Sequence, residues 1–305
     1  MTPAPATLPA APPVAHLRTT IGLFLFVVLA WSLNWVVMKL AVREIAPLWA
    51  VAVRTAMAAA VLIPALWARG QLVRPPRADY PIILVISLCH MVAFAALMTA
   101  ALTYASAGRT IVLGYTTPLW VAPAAYLFLR ERMTLLQMAG IGIGMAGLLL
   151  LISPGALDWS SRQAVLGSVL PLLAAMCWSV SIVSTRGHRW TATPLQLMPW
   201  QCLLATAVLA VLAFWIEGPP PVRLGMPALL ALAYNGVIGT ALGFWAMTVV
   251  NRRVPAATAA LGVLATPAVG IGLAAVVLGE GLDPVLILSA LLILTGVVIG
   301  ARRKA

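Results

Sequence analysis

From residue 21 onward the chain alternates long apolar runs with short breaks of Arg, Pro, Gly and acidic residues. The runs predict ten helices, at 21–41, 46–68, 79–101, 107–129, 135–153, 164–185, 194–216, 226–249, 254–278 and 284–301. Each is near the roughly 20 residues that cross a hydrocarbon core about 30 Å thick. Hydrocarbon offers no water to backbone N–H and C=O groups, so each run must bond its own backbone and reads as a helix. Residues 1–20 are rich in Pro and Ala and carry one cation, Arg18. They lack the basic start of a signal peptide, which predicts a short disordered tail and a retained first helix. A basic tail, 302–305, follows the last run.

The pattern also repeats. Trp31-Ser32-Leu33-Asn34 returns as Trp178-Ser179-Val180-Ser181 and Pro47-Leu48 as Pro194-Leu195, both at an offset of 147. Thr117-Pro118 returns as Thr266-Pro267, Glu131 as Glu280 and Gly147 as Gly296, all at an offset of 149. Five matches in order on a near-constant offset predict a duplicated five-span unit, 21–153 and 164–301. Five is odd, so the second unit enters the membrane inverted. Inverted repeats are typical of transporters that alternate access around a midplane site. The predicted fold class is therefore an all-α membrane protein of ten transmembrane helices in two inverted five-helix repeats.

Composition agrees. Of 305 residues, 63% are hydrophobic and 9% charged, and mean hydropathy is +1.04. A soluble domain carries roughly 25% charged residues, so a soluble enzyme or nucleic-acid binder is excluded. The net charge of +12 is scattered between apolar runs rather than gathered on one polar face, so it does not indicate nucleic acid. It reports topology instead. With the N-terminus inside, 13 Lys and Arg residues fall on the cytoplasmic side and 5 outside, with Arg54 inside a span. That bias places both termini in the cytoplasm of a multi-pass protein. Cys89, Cys177 and Cys202 lie within apolar runs and form neither a disulfide framework nor a metal motif. No cofactor or metal is expected, and the partners are lipid and a small-molecule substrate, with the chain a monomer or homodimer.

Leu129-Arg130-Glu131-Arg132-Met133-Thr134, followed by Gln137 and Gly140, resembles the end of the fourth helix in ten-span drug/metabolite transporters, the EamA-domain exporter group. Leu278-Gly279-Glu280-Gly281-Leu282 is the second copy, and Trp31-Ser32, Asn34 and Lys39 resemble that family's first helix. Arg130 stands where Gly is usual, and Gly281 where a basic residue is usual. The resemblance spans about 21–301. It implies a two-repeat bundle that exports small metabolites, often amino acids, across a bacterial inner membrane.

Candidate site residues are the polar and aromatic groups at mid-depth, where a polar side chain is costly unless it faces the bundle interior. Trp31, Asn34, Trp35 and Met38 share one face of the first helix at i, i+3, i+4 and i+7. They read as an aromatic wall with one orienting amide, against simple packing. His90 lies mid-span, and a local offset of 145 pairs it with Asn235, beside Tyr234. Arg54 lies eight residues into its span, about 12 Å deep at 1.5 Å per residue. No acid is predicted within the spans, so it snorkels, bonds carbonyls or meets an anionic ligand; its repeat counterpart is Gln201. Thr117-Pro118 and Thr266-Pro267 predict matched helix breaks, which point to a central site. One of Tyr115 and Trp120 should face inward. Glu131 and Glu280 read as structural, capping or bracing a neighbouring loop.

All seven acids fall at span ends or in loops, leaving His90 as the candidate proton carrier. Uniport or exchange is the first expectation and His90-based proton coupling the second. A polytopic lipid-processing enzyme would need acidic or His clusters near the surface, a spacing the sequence lacks. A non-transporting sensor or scaffold would not need matched polar residues and breaks at mid-depth.

Overall fold

The computed structural model describes residues 14–220, 224–254 and 263–301. Of the expected disordered tail 1–20, residues 14–20 are instead the first turns of α1, and the rest, with Arg223, the start of the ninth run at 255–262 and the 302–305 tail, lies outside them. The apolar runs form α1 Val14–Ala41, α2 Pro47–Ala68, α3 Arg77–Tyr104, α4 Ala107–Leu129 and α5 Leu135–Leu151. The second half gives α6 Arg162–Gly187, α7 Pro194–Glu217, α8 Met226–Arg253, α9 Ala265–Leu278 and α10 Pro284–Ala301. Among the described residues, eight are long and apolar enough to cross a membrane, and α5 and the described part of α9 are shorter apolar helices.

The helices pair as a two-fold relation between the halves requires. α2 packs on α7, and α5 on α10. α1 packs on α8 and α9, while its counterpart α6 packs on α3 and α4. Nearly every large contact therefore joins one repeat to the other. The outer surface exposes large apolar side chains, among them Phe128, Trp215, Leu135 and Val276, a surface suited to lipid rather than water.

Glycines decide how closely α5 and α10 approach. A Cβ on Gly140 would collide with the backbone of Gly296 and Gly300, and one on Gly296 with the backbone of Gly140 and Gly144. Small residues let helix backbones meet, and the gain is van der Waals contact. The Gly140–Gly144 run is thus used inside the bundle. Gly142, on the other side of α5, meets nothing within 4 Å.

Breaks interrupt several of the described helices. α4 consists of Ala107–Gly114 and Thr117–Leu129, joined by a turn at Tyr115-Thr116. Pro118 sits in the first turn of the second piece, where its missing N–H needs no partner. The Thr116 and Thr117 hydroxyls donate to Leu113 O and Gly114 O at 2.6 and 2.8 Å, adding side-chain bonds to carbonyls at the turn. α3 and α8 each contain a nine-residue π-helical segment, Ile86–Phe94 and Tyr234–Leu242. These occupy the same place in the two repeats, and the sequence pattern does not announce them.

The family-like motif has a local explanation. Arg130 takes a left-handed conformation at φ 55°, and Gly279 does the same at φ 68° in the second repeat. This is the residue that ends a helix by turning left-handed, which glycine adopts without steric cost. Thr134 and Gln137 then form a reciprocal capping box at the start of α5.

Gly140→Leu should force α5 from α10 and cost about 1–3 kcal/mol or more, seen as a lower thermal midpoint of the detergent-purified protein. Gly142→Leu should leave that midpoint unchanged.

Candidate functional site

Five acidic side chains bind the repeats to each other. Ala107 and Gly108 N–H donate to Glu280 Oε1 and Oε2 at 2.6 and 2.9 Å, closing the N-terminus of α4. Leu48 and Trp49 N–H donate to Glu217 at 2.9 and 3.1 Å, closing α2. Gly225 N–H, before α8, donates to Glu44 at 3.0 Å. A helix begins with unpaired N–H groups and a partial positive charge, so a carboxylate suits each position. Lys39 Nζ adds bonds to Ala105 O at 2.7 Å and to Leu102 O, closing the end of α3. Arg109 donates to Leu151 O and Ala156 O at 2.7 and 3.0 Å. By helix alternation all of these lie on one face of the bundle.

The opposite face is held differently. Asp79, fully buried, accepts from Thr191 and Ala192 N–H at 3.1 and 2.8 Å and lies 2.8 Å from His188 Nε2. Glu131 pairs with Arg186 at 2.8 Å with both side chains about two-fifths exposed. Asp158 and Asp283 bond locally, to Ser160 and to Val285 N–H. Of the two glutamates expected to be structural, Glu131 sits in an exposed ion pair and Glu280 in a helix cap.

Between these faces lies a cavity of about 190 Å³ lined by α1, α2, α3, α4, α6 and α8. Six sequence-derived candidates line it: Trp31, Asn34, Trp35, Arg54, His90 and Tyr115. Its walls are aromatic. Trp31 lies 5.4 Å from Phe244 and Phe94 4.8 Å from Trp178, ring centre to ring centre. His90 stacks on Trp178 at 5.3 Å and 7°. Trp31 Nε1 donates to Gly239 O at 3.0 Å, which fixes its ring. Asn34 Oδ1 and Arg54 Nε are buried without hydrogen-bond partners, and Arg54 has no ion pair among the described residues. Asn34 Oδ1 faces Gly239, and a Cβ there would strike it.

A second cavity, about 270 Å³, shares His90, Met91, Trp178 and Phe244 with the first. It continues past Thr185, Arg186, Trp190 and Pro194. Arg186 is exposed, so this route reaches the face held by Glu131. Gln201, the counterpart of Arg54, lines the second cavity and also leaves Nε2 without a partner.

Other candidates are placed outside the cavity lining. The Tyr234 hydroxyl donates to Ala30 O at 3.1 Å, and Asn235 Nδ2 to Ala231 O at 2.9 Å. The matched π segments begin at Ile86 and Tyr234, so Asn235 aligns with Ser87 rather than His90. Both are fully buried, and Ser87 of α3 faces α7, its hydroxyl donating to Gln201 O at 3.2 Å. Thr117 and Pro118 start the second piece of α4. Thr266 and Pro267 start α9, with Thr266 O 2.9 Å from Ser32 Oγ. Met38 is core, and the Trp120 indole donates to Thr116 Oγ1 at 3.2 Å.

Seven lining positions escaped the sequence reading: Thr55, Met91, Phe94, Trp178, Gly239, Thr240 and Phe244. Two had signals. Trp178 is the repeat copy of Trp31, and Phe94 follows His90 by one helical turn. The rest come from helix packing.

The profile of the EamA-like transporter family matches twice, at 18–153 and 165–301. The uncharacterized transporter YoaV of Bacillus subtilis is 24% identical over 271 residues, 89% of this chain and 92% of its own. A protein of Escherichia coli K12 named "Probable amino-acid metabolite efflux pump" is 28% identical over 289 residues, 91% and 93% of the two chains. A solved crystal structure shares the fold at TM-score 0.64 and 22% identity, covering 93% of this chain and 96% of that one.

In a background without Cys89, Cys177 and Cys202, Thr185→Cys and Thr248→Cys should react with a membrane-impermeant maleimide applied at the face of Arg186. Applied at the face of Glu280 it should label them at least tenfold more slowly. Equal rates from both faces would contradict a cavity open to one side.

Proposed function

Because the chain belongs to the EamA-like transporter family, we propose that it exports a small amphipathic metabolite, an amino acid or related compound, by alternating access between its repeats. The observation that carries this reading is the aromatic cavity at the repeat boundary, with two buried polar atoms left for a ligand. At about 190 Å³ it is smaller than the 300–1,000 Å³ of drug-sized sites, which suits a metabolite of one or two rings. The name of the Escherichia coli relative, "Probable amino-acid metabolite efflux pump", supports the same class.

The proposed placement is the bacterial inner membrane with both termini cytoplasmic, following the 13-to-5 bias of basic residues. The proposed organisation is the two repeat units, 21–153 and 164–301. The face closed by Glu44, Glu217 and Glu280 is then periplasmic, and the route past Arg186 opens inward. Solute enters along the second cavity and stacks among Trp31, Phe94, Trp178 and Phe244. Export requires the caps on α2, α4 and α8 to part while the face of Asp79 and Glu131 closes. No acid lines either cavity, and among the described lining residues His90 is the one imidazole. The solute gradient therefore drives uniport or exchange, with His90-based proton coupling as the second reading.

Counterflow in proteoliposomes with a panel of amino acids and their derivatives tests this. A transported solute should be found. Trp178→Ala should lower its rate at least tenfold, while Trp215→Ala, on the exposed outer surface, should not change it. An imposed pH gradient should have little effect. Strong acceleration abolished in His90→Ala would replace uniport by proton coupling.

A further inference from the structure

The charge balance of the cavity carries the substrate class further. Arg54 brings a guanidinium to the cavity wall, and the residues lining both cavities include no Asp or Glu. The seven acids of the chain are engaged elsewhere. Five join the repeats near the two faces, and Asp158 and Asp283 bond within their own loops. The site thus presents one positive charge with no protein counter-ion among the described residues, and Arg54 Nε has no acceptor there. A buried charge without a partner is costly, and a carboxylate is the partner that guanidinium geometry fits best.

The remaining surface defines the rest of the ligand. Trp31, Phe94, Trp178 and Phe244 offer faces and edges to a flat ring. Asn34 Oδ1, buried and unpartnered beside Gly239, accepts one N–H or O–H. An α-ammonium group would find no carboxylate to pair with. Once the ligand carboxylate had met Arg54, the ammonium would remain as the unpaired charge. It would have only one amide oxygen and aromatic faces, which hold a cation more weakly than an ion pair when desolvated.

We propose that the central cavity selects a monoanionic aryl carboxylate bearing a ring donor, with Arg54 as its counter-charge and Asn34 as the acceptor for the donor, over the corresponding zwitterionic amino acid. This rests on the transport reading and narrows its substrate class. It also makes the transported species a net anion, so an inside-negative membrane potential favours its exit.

Three probes that share one ring and hydroxyl separate the charges: 3-(4-hydroxyphenyl)propanoate, tyrosine and tyramine. Binding is measured by titration calorimetry on the full-length protein in lipid nanodiscs. The propanoate should bind at least tenfold more tightly than tyrosine, and tyramine should not bind. Arg54→Gln, which installs the residue found at the counterpart position 201, should weaken the propanoate at least tenfold. Arg54→Lys should recover part of that loss, and an unchanged thermal midpoint in each variant establishes that it folds. Tyrosine binding as tightly as the propanoate overturns the proposal, as does propanoate binding unaffected by Arg54→Gln. Binding of none of the three also overturns it. In each of these cases the transport reading is decided separately, by whether the counterflow panel yields any transported solute.

Discussion

A helix that begins at a membrane surface presents backbone N–H groups that its own turns cannot satisfy. In this chain the partners for α2, α4 and the entry to α8 come from the other repeat, as the carboxylates of Glu217, Glu280 and Glu44. That exchange is the interaction on which the architecture depends. Hydrogen bonds to charged groups contribute roughly 1.5–3 kcal/mol each, whereas the apolar surfaces of helices in lipid gain little from association alone. The two halves are held together where charges meet helix ends, and packed by shape where Gly140 meets Gly296.

The same exchange sets the chemistry of the interior. A chain with seven acids that commits five to crossing between repeats, and two to local turns, leaves its central cavity without a carboxylate. Arg54, Asn34 and a set of aromatic rings remain there. The polarity of the cavity is therefore a consequence of how the bundle is fastened. The two cavities differ in the same sense, since Arg54 faces one and Gln201 the other.

The fold was legible because hydrocarbon imposes a length and a composition that few other contexts share. Most helices begin and end within a few residues of the apolar runs; α1 begins seven residues before its run, at Val14, and the described part of α9 begins at Ala265. The offset of 147 to 149 identified counterparts, while the packing of α2 on α7 and α5 on α10 is seen in the structure. The cavity was legible where one regular helix supplied it: Trp31, Asn34 and Trp35 lie on one face of α1. It was illegible where the backbone departs from regular periodicity. The π segments shift which residues share a face, and Ile86-Ser87 matches Tyr234-Asn235 although their sequences give no common signal. The proline pairs marked breaks, yet their side chains serve the start of a helix rather than the cavity wall. Phe244 and Thr240 reach the site through packing between α8 and the other repeat, which spacing along one chain does not encode.

The cap at Glu280 has an unequal ancestry of parts. One side of the latch is a side chain, and the other is main chain, the amides of Ala107 and Gly108. Mutation can strengthen, shorten or delete the carboxylate, but no substitution at 107 or 108 other than proline removes its donors. The strength of this closure is therefore heritable chiefly through a single codon.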